Sequence, residues 1–119
     1  VLKPGGTLIL ACECCEGVPA NSHYEQMLRS AASPEAILAR LLTPASRRPE
    51  QWQAQIQALI QRQARVLLYS ALPEAVVRAA HLTPCRDISA TVRKLLATSA
   101  KGARIAVLPQ GPLTVPYLV

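Results

Sequence analysis

Phenylalanine is absent from this chain of 119 residues, and aromatic residues of any kind make up only 3% of it. A core must therefore be assembled from Leu, Ile, Val and Ala. No apolar run reaches membrane-spanning length, and no leader-peptide pattern opens the chain. There is no internal repeat and no low-complexity segment. The chemical motifs missing are equally telling: no G-x-S-x-G elbow, no P-loop and no G-x-G-x-x-G. Only two histidines occur, His23 and His81. Neither has a Cys or Asp at a spacing that would activate a nucleophile. A complete enzyme of this length would usually display one recognisable constellation, and this chain displays none.

Hydrophobic residues make up 50% of the chain, which predicts a globular fold rather than disorder. The length suits one domain, residues 1–119, with a modest core. Net charge is +6, but the charges are patterned. Glu25, Glu35, Glu50, Glu74 and Asp87 each fall at the start of a predicted helix, where they complement the helix dipole. The bases are scattered singly except at Arg47-Arg48 and Arg93-Lys94. They form no stripe with interleaved aromatics, so no nucleic-acid partner is expected. No membrane partner is expected either. The four cysteines fit a reducing cytoplasm, because Cys12, Cys14 and Cys15 are too crowded to pair easily with one another. The chain opens with Val inside a Lys3-Pro4-Gly5-Gly6 turn, which reads as the start of a piece excised from a longer protein.

Thr7 to Ala11 is an apolar run between a Gly-Gly turn and a polar loop, the pattern of a buried strand. Ser22 to Glu25 is a capping box opening a short helix to about Ala31. Ser33-Pro34-Glu35 opens a second helix with a Ser cap and Pro at its first position; Ile37, Leu38, Leu41 and Leu42 form its stripe. Pro49-Glu50 opens the longest helix, to about Ala64. Trp52, Ile56, Leu59 and Ile60 recur on one face of it, and the opposite face is rich in Gln, a good helix former. Strand residues 65–69 follow, then a short helix from Glu74 and an extended link over Leu82–Cys85. Asp87 caps a helix to about Thr98, closed by Lys101-Gly102. Arg104–Leu108 is predicted as the third strand, and the proline-rich tail beyond it as loop. Strands alternating with helices predict an α/β fold: a small three-layer domain whose three- or four-stranded, mainly parallel sheet is flanked by helices.

The stretch Cys12-Glu13-Cys14-Cys15-Glu16-Gly17 lies at the carboxyl end of the first strand, where open α/β sheets hold their ligands. Strand alternation would set Cys12 and Cys14 on one side and Glu13 and Cys15 on the other. Three thiols could hold a soft metal, but the C-x₂-C spacing of a zinc knuckle is missing. Small buried or incidental thiols are the plainer reading. Glu13 and Glu16 could act as an acid–base pair or simply be solvated loop charges. His81, just past a helix end, suits a cation facing the dipole. Trp52 is the sole Trp and can be either a core edge or a cleft wall.

Several landmarks coincide in order. Val1-Leu2-Lys3-Pro4-Gly5-Gly6 runs into Leu8 to Ala11, and Cys12 to Gly17 follows. Pro49-Glu50-Gln51-Trp52-Gln53-Ala54-Gln55 comes next, then Val107-Leu108-Pro109-Gln110-Gly111 with Thr114 and Pro116. Together they resemble the C-terminal domain of the nickel-dependent lactate racemase family over nearly the whole chain. That resemblance implies a two-domain racemase or epimerase of small 2-hydroxyacids. Its nickel-pincer nucleotide takes hydride from the substrate α-carbon and returns it to either face. The tethering lysine, the nickel-ligating histidine and the proton-transfer histidines of the family belong to an N-terminal domain, here the implied partner. This fragment is thus expected to hold no cofactor, no metal and no catalytic residue, and to be inactive alone, its domain closing the cleft. The resemblance makes Trp52 the tryptophan that walls the substrate, and the loop with Glu13, Cys15 and Gly17 a lining of the cleft. The sequence departs at Gly17-Val18-Pro19, where a more glycine-rich turn is expected. The alternative is a regulatory or partner-binding α/β module with a redox-active or metal-binding thiol loop.

Overall fold

The computed structural model describes residues 2–99 and 102–114; Val1, Lys101 and Pro116, named above, lie outside the described residues. The chain divides into two units, residues 2–86 and a shorter one from Asp87 onward. The first unit is built on a three-stranded parallel sheet flanked by helices, in the order β1 (Thr7–Ala11), β2 (Arg65–Tyr69), β3 (Thr83–Pro84). Thr7 pairs with Arg65 and Ala11 with Tyr69, while Leu67 pairs with Thr83. Val66, Leu67 and Leu68 of the central β2 are all buried. A strand covered on both faces loses its alternation and becomes a continuous apolar run. In contrast, β1 has one neighbour among the described residues and grows more exposed toward its carboxyl end.

Between β1 and β2 lie α1 (His23–Arg29), α2 (Pro34–Leu41), a 3₁₀ turn (Pro44–Ser46) and α3 (Gln51–Gln63). The capping signals work as read, with one shift. Ser22 Oγ accepts from the Glu25 N–H at 3.0 Å, and the Glu25 carboxylate reaches back to the Asn21 N–H at 2.8 Å. Ser33 Oγ accepts from the Ala36 N–H, and Pro34 occupies the first turn. Leu42 is the C-cap of α2 and is exposed, so it is not part of the stripe. Glu50 likewise departs from its expected role. It is the N-cap of α3 in a left-handed conformation, and its side chain does not cap α3. Its carboxylate instead accepts the Tyr24 N–H of α1 at 3.0 Å.

The face of α3 that meets the core is the reverse of the one the apolar periodicity predicts. Ala54 and Ala58 are wholly buried, in one cluster with Leu28, Ile37 and Ala80. Trp52, Ile56, Leu59 and Ile60 are 62%, 50%, 41% and 43% exposed. Alanines let neighbouring helices approach closely, and the glutamines beside them find partners. The Tyr24 hydroxyl donates to Gln57 Oε1. Gln57 Nε2 donates to the Ala80 carbonyl and Gln61 Nε2 to the His81 carbonyl, each at 2.7 Å. The Gln57 amide is thus paired at both ends, whereas Gln61 Oε1 is buried with no partner among the described residues. A paired amide can sit at a core edge at little cost, which hydropathy alone does not register.

The helix α4 (Glu74–Ala79) joins β2 to β3 and buries Val77. His81 follows its C-cap with φ +59. Its Nε2–H donates to the Leu28 carbonyl of α1 at 2.8 Å. The third strand is Thr83–Pro84 and not Arg104–Leu108. Pro84 is tolerated because β3 pairs with β2 on one side only among the described residues. In the second unit, Asp87 Oδ1 accepts the Ala90 N–H at 2.8 Å and caps α5 (Ile88–Thr98). Arg104–Leu108 carries strand-like side chains but forms no strand, and Ile105 and Val107 are exposed. A strand needs an edge to pair with, and a periodic pattern alone does not supply one.

Candidate functional site at the carboxyl ends of the strands

The loop after β1 is held to the exit of β2. The Cys12 N–H donates to the Tyr69 carbonyl at 3.0 Å, and the Ala71 N–H donates to the Glu13 carbonyl at 3.1 Å. The chain then turns back. Cys14 is left-handed at φ +55, Gly17 lies at φ +69, and the Gly17 N–H closes a turn on the Cys14 carbonyl at 2.9 Å. Only glycine adopts the Gly17 angle freely. A Cβ there would meet nothing nearer than Leu72 Cδ2 at 4.0 Å, so glycine serves the backbone angle and not a close packing contact.

Glu13, Cys15, Glu16 and Gly17 are exposed. The carboxylates are thus solvated loop charges. The thiols do not follow strand alternation, because the strand ends at Ala11. The left-handed Cys14 folds its side chain back over Cys12, and the two Sγ atoms lie 3.2 Å apart. Two of the crowded thiols are thus in contact, and all three are free cysteines. The contact with Cys12, followed by partial burial and the charges of Cys12 and Cys15, pushes the Cys14 thiol up to about 11.

Trp52 lies in the first turn of α3. Ala64 alone separates α3 from β2. The Trp52 indole is mostly in solvent, at the head of the exposed row Ile56, Leu59 and Ile60. Among the described residues no hydrogen bond or ion pair joins Trp52 to Glu13, Cys15 or Gly17. Nor do His, Cys, Asp and Glu residues gather in any described group of three or more that could hold a metal. These residues therefore do not fit a nickel centre of their own. Gln57, Gln61 and His81, which brace the layer behind the sheet, were not singled out as binding partners by the sequence. The only trace of their role is that they accompany the alanines Ala54 and Ala58.

Residues 1–115 match the model of the lactate racemase C-terminal domain. The chain belongs to this family. A lactate racemase of Thermoanaerobacterium thermosaccharolyticum is 25% identical over 112 residues, covering 92% of this chain and 26% of the relative. The structure of the lactate racemase apoprotein from the same organism superposes with a TM-score of 0.69 at 24% identity, over 80% of this chain and 23% of that one. The family and this fold therefore agree. The chain spans about a quarter of the relative's length. No helix among the described residues is long and apolar enough to cross a membrane.

Proposed function

We propose that this chain is the C-terminal, cleft-closing domain of a lactate-racemase-like 2-hydroxyacid racemase or epimerase, and that it is inactive alone. The observation that carries the reading is Trp52. An indole 62% exposed at the head of an uncovered apolar helix face is what a wall needs when another domain supplies the opposite side. The loop at Glu13, Cys15 and Gly17 lies at the carboxyl end of β1, the usual ligand side of such sheets, and lines the same cleft. The parent's own N-terminal domain is the partner, a small 2-hydroxyacid is the substrate, and the protein is cytoplasmic. The nickel-pincer nucleotide belongs to the parent and would supply the hydride acceptor. The residues here contribute walls that position the substrate and exclude water.

The test is Trp52→Ala in both the 119-residue chain and the parent. A wall residue has little to do with folding, so the stability of the chain should change by no more than about 0.5 kcal/mol. A lost apolar contact to a small substrate should lower the parent's kcat/KM by roughly 10- to 200-fold. Loss of several kcal/mol in urea unfolding of the chain would reject the wall role. The metal-binding form of the alternative finds no described ligand set, whereas its redox form is favoured by the 3.2 Å contact of Cys12 and Cys14.

A further inference from the structure

We propose that Cys12 and Cys14 form a thiol–disulfide exchange site that reduces small-molecule disulfides of the glutathione type and closes into a Cys12–Cys14 disulfide. The site goes beyond the racemase reading and does not depend on it. In a straight strand, side chains at i and i+2 stand about 6.6 Å apart along the strand, two residues at about 3.3 Å each. Here the left-handed turn at Cys14 reduces the Sγ separation to 3.2 Å. A disulfide needs about 2.05 Å, a closure that side-chain rotation within a surface loop can supply. Cys12 is exposed and Cys14 half-buried, so an incoming disulfide meets Cys12 first.

The exchange proceeds in two balanced steps. The Cys12 thiolate attacks one sulfur of the small disulfide. The S–S bond breaks, one small thiolate leaves and takes a proton, and Cys12 carries the mixed disulfide. The Cys14 Sγ then attacks the Cys12 Sγ. Its proton passes to the second departing thiolate, and the Cys12–Cys14 bond forms. Two electrons move from the protein dithiol to the small disulfide, which leaves as two thiols. The order suits the local electrostatics. The contact with the Cys12 sulfur is the first of the causes that raise the Cys14 thiol. Once Cys12 is in a mixed disulfide, the thiol partner and its charge are gone. The Cys14 thiol then ionises more readily, at the step where it must attack.

Glutathione disulfide in excess is the probe, applied to the full chain and followed by intact mass and peptide mapping. The wild type should release two equivalents of glutathione thiol, lose two hydrogens in mass, and yield a peptide linked between Cys12 and Cys14. Cys14→Ser should stop at a glutathione adduct on Cys12 that lives at least about tenfold longer than in the wild type, because ring closure is intramolecular. Cys15→Ser should behave as the wild type. Circular dichroism of each variant, matched to the wild type, separates loss of exchange from loss of fold. A wild-type adduct that never closes, a bond to Cys15, or closure that requires Cys15 would each overturn the proposal.

Discussion

Gln57 shows how a single side chain can matter more than its type suggests. It accepts from the Tyr24 hydroxyl and donates to the Ala80 carbonyl, linking α1, α3 and the end of α4. Gln55, one turn face away, is exposed. Gln57→Ala leaves both partners at a part-buried site without a mate, so it should cost roughly 1–3 kcal/mol in urea unfolding. Gln55→Ala should stay within about 0.5 kcal/mol. Equal effects of the two substitutions would refute the brace. Both residues read identically in the sequence, as good helix formers. What separates them is a pair of partners brought from distances of 33 and 23 residues, which no local pattern contains. For Trp52 the sequence left a core edge and a cleft wall both open, and its exposure of 62% is decided by Ala54 and Ala58 taking the core, which the apolar pattern did not contain.

Among the elements, the helix starts were the most legible. Ser22, Ser33 and Asp87 all cap where a short polar side chain precedes a helical run, since capping is a local contact. Strand identity was less so. Arg104–Leu108 has the better strand composition, yet Thr83–Pro84 is the strand, paired to β2 at Leu67 and Leu68. Near that strand Glu74 holds α4 to the exit of β3, accepting from Arg86 at 2.6 Å and Arg78 at 3.1 Å. The Arg86 guanidinium, then Arg78, keep its carboxyl below the usual glutamate range. The folded state thus binds the proton less readily than the unfolded chain. The stabilisation is full above the ordinary glutamate pKa of about 4.3 and drains as pH falls through the lower folded value. Unfolding midpoints of the wild type and Glu74→Gln should differ at neutral pH and converge on acidification. A gap that stays constant from neutral to acid pH would remove Glu74 as the cause.

For the whole molecule, the informative failure of the sequence pattern is α3. Its strongest apolar periodicity, Trp52-Ile56-Leu59-Ile60, points outward, while two alanines meet the core. Periodicity detects a face that will be buried but does not say against what. In a chain spanning about a quarter of its lactate racemase relative, that face is available to the rest of the parent. Ile56→Glu with Ile60→Glu tests this directly. In the 119-residue chain both side chains are already about half in water, so the pair should cost no more than about 1 kcal/mol, the sum of two surface effects. In the parent the same pair would bury two charges without partners at the domain junction. Unfolding there should lose several kcal/mol or split into two transitions. Hydrogen exchange should show the α3 amides slower in the parent than in the chain, and this slowing should vanish in the double variant. A parent whose stability and α3 exchange match those of the isolated chain would leave the outward row without a partner, and the domain-closing role with it.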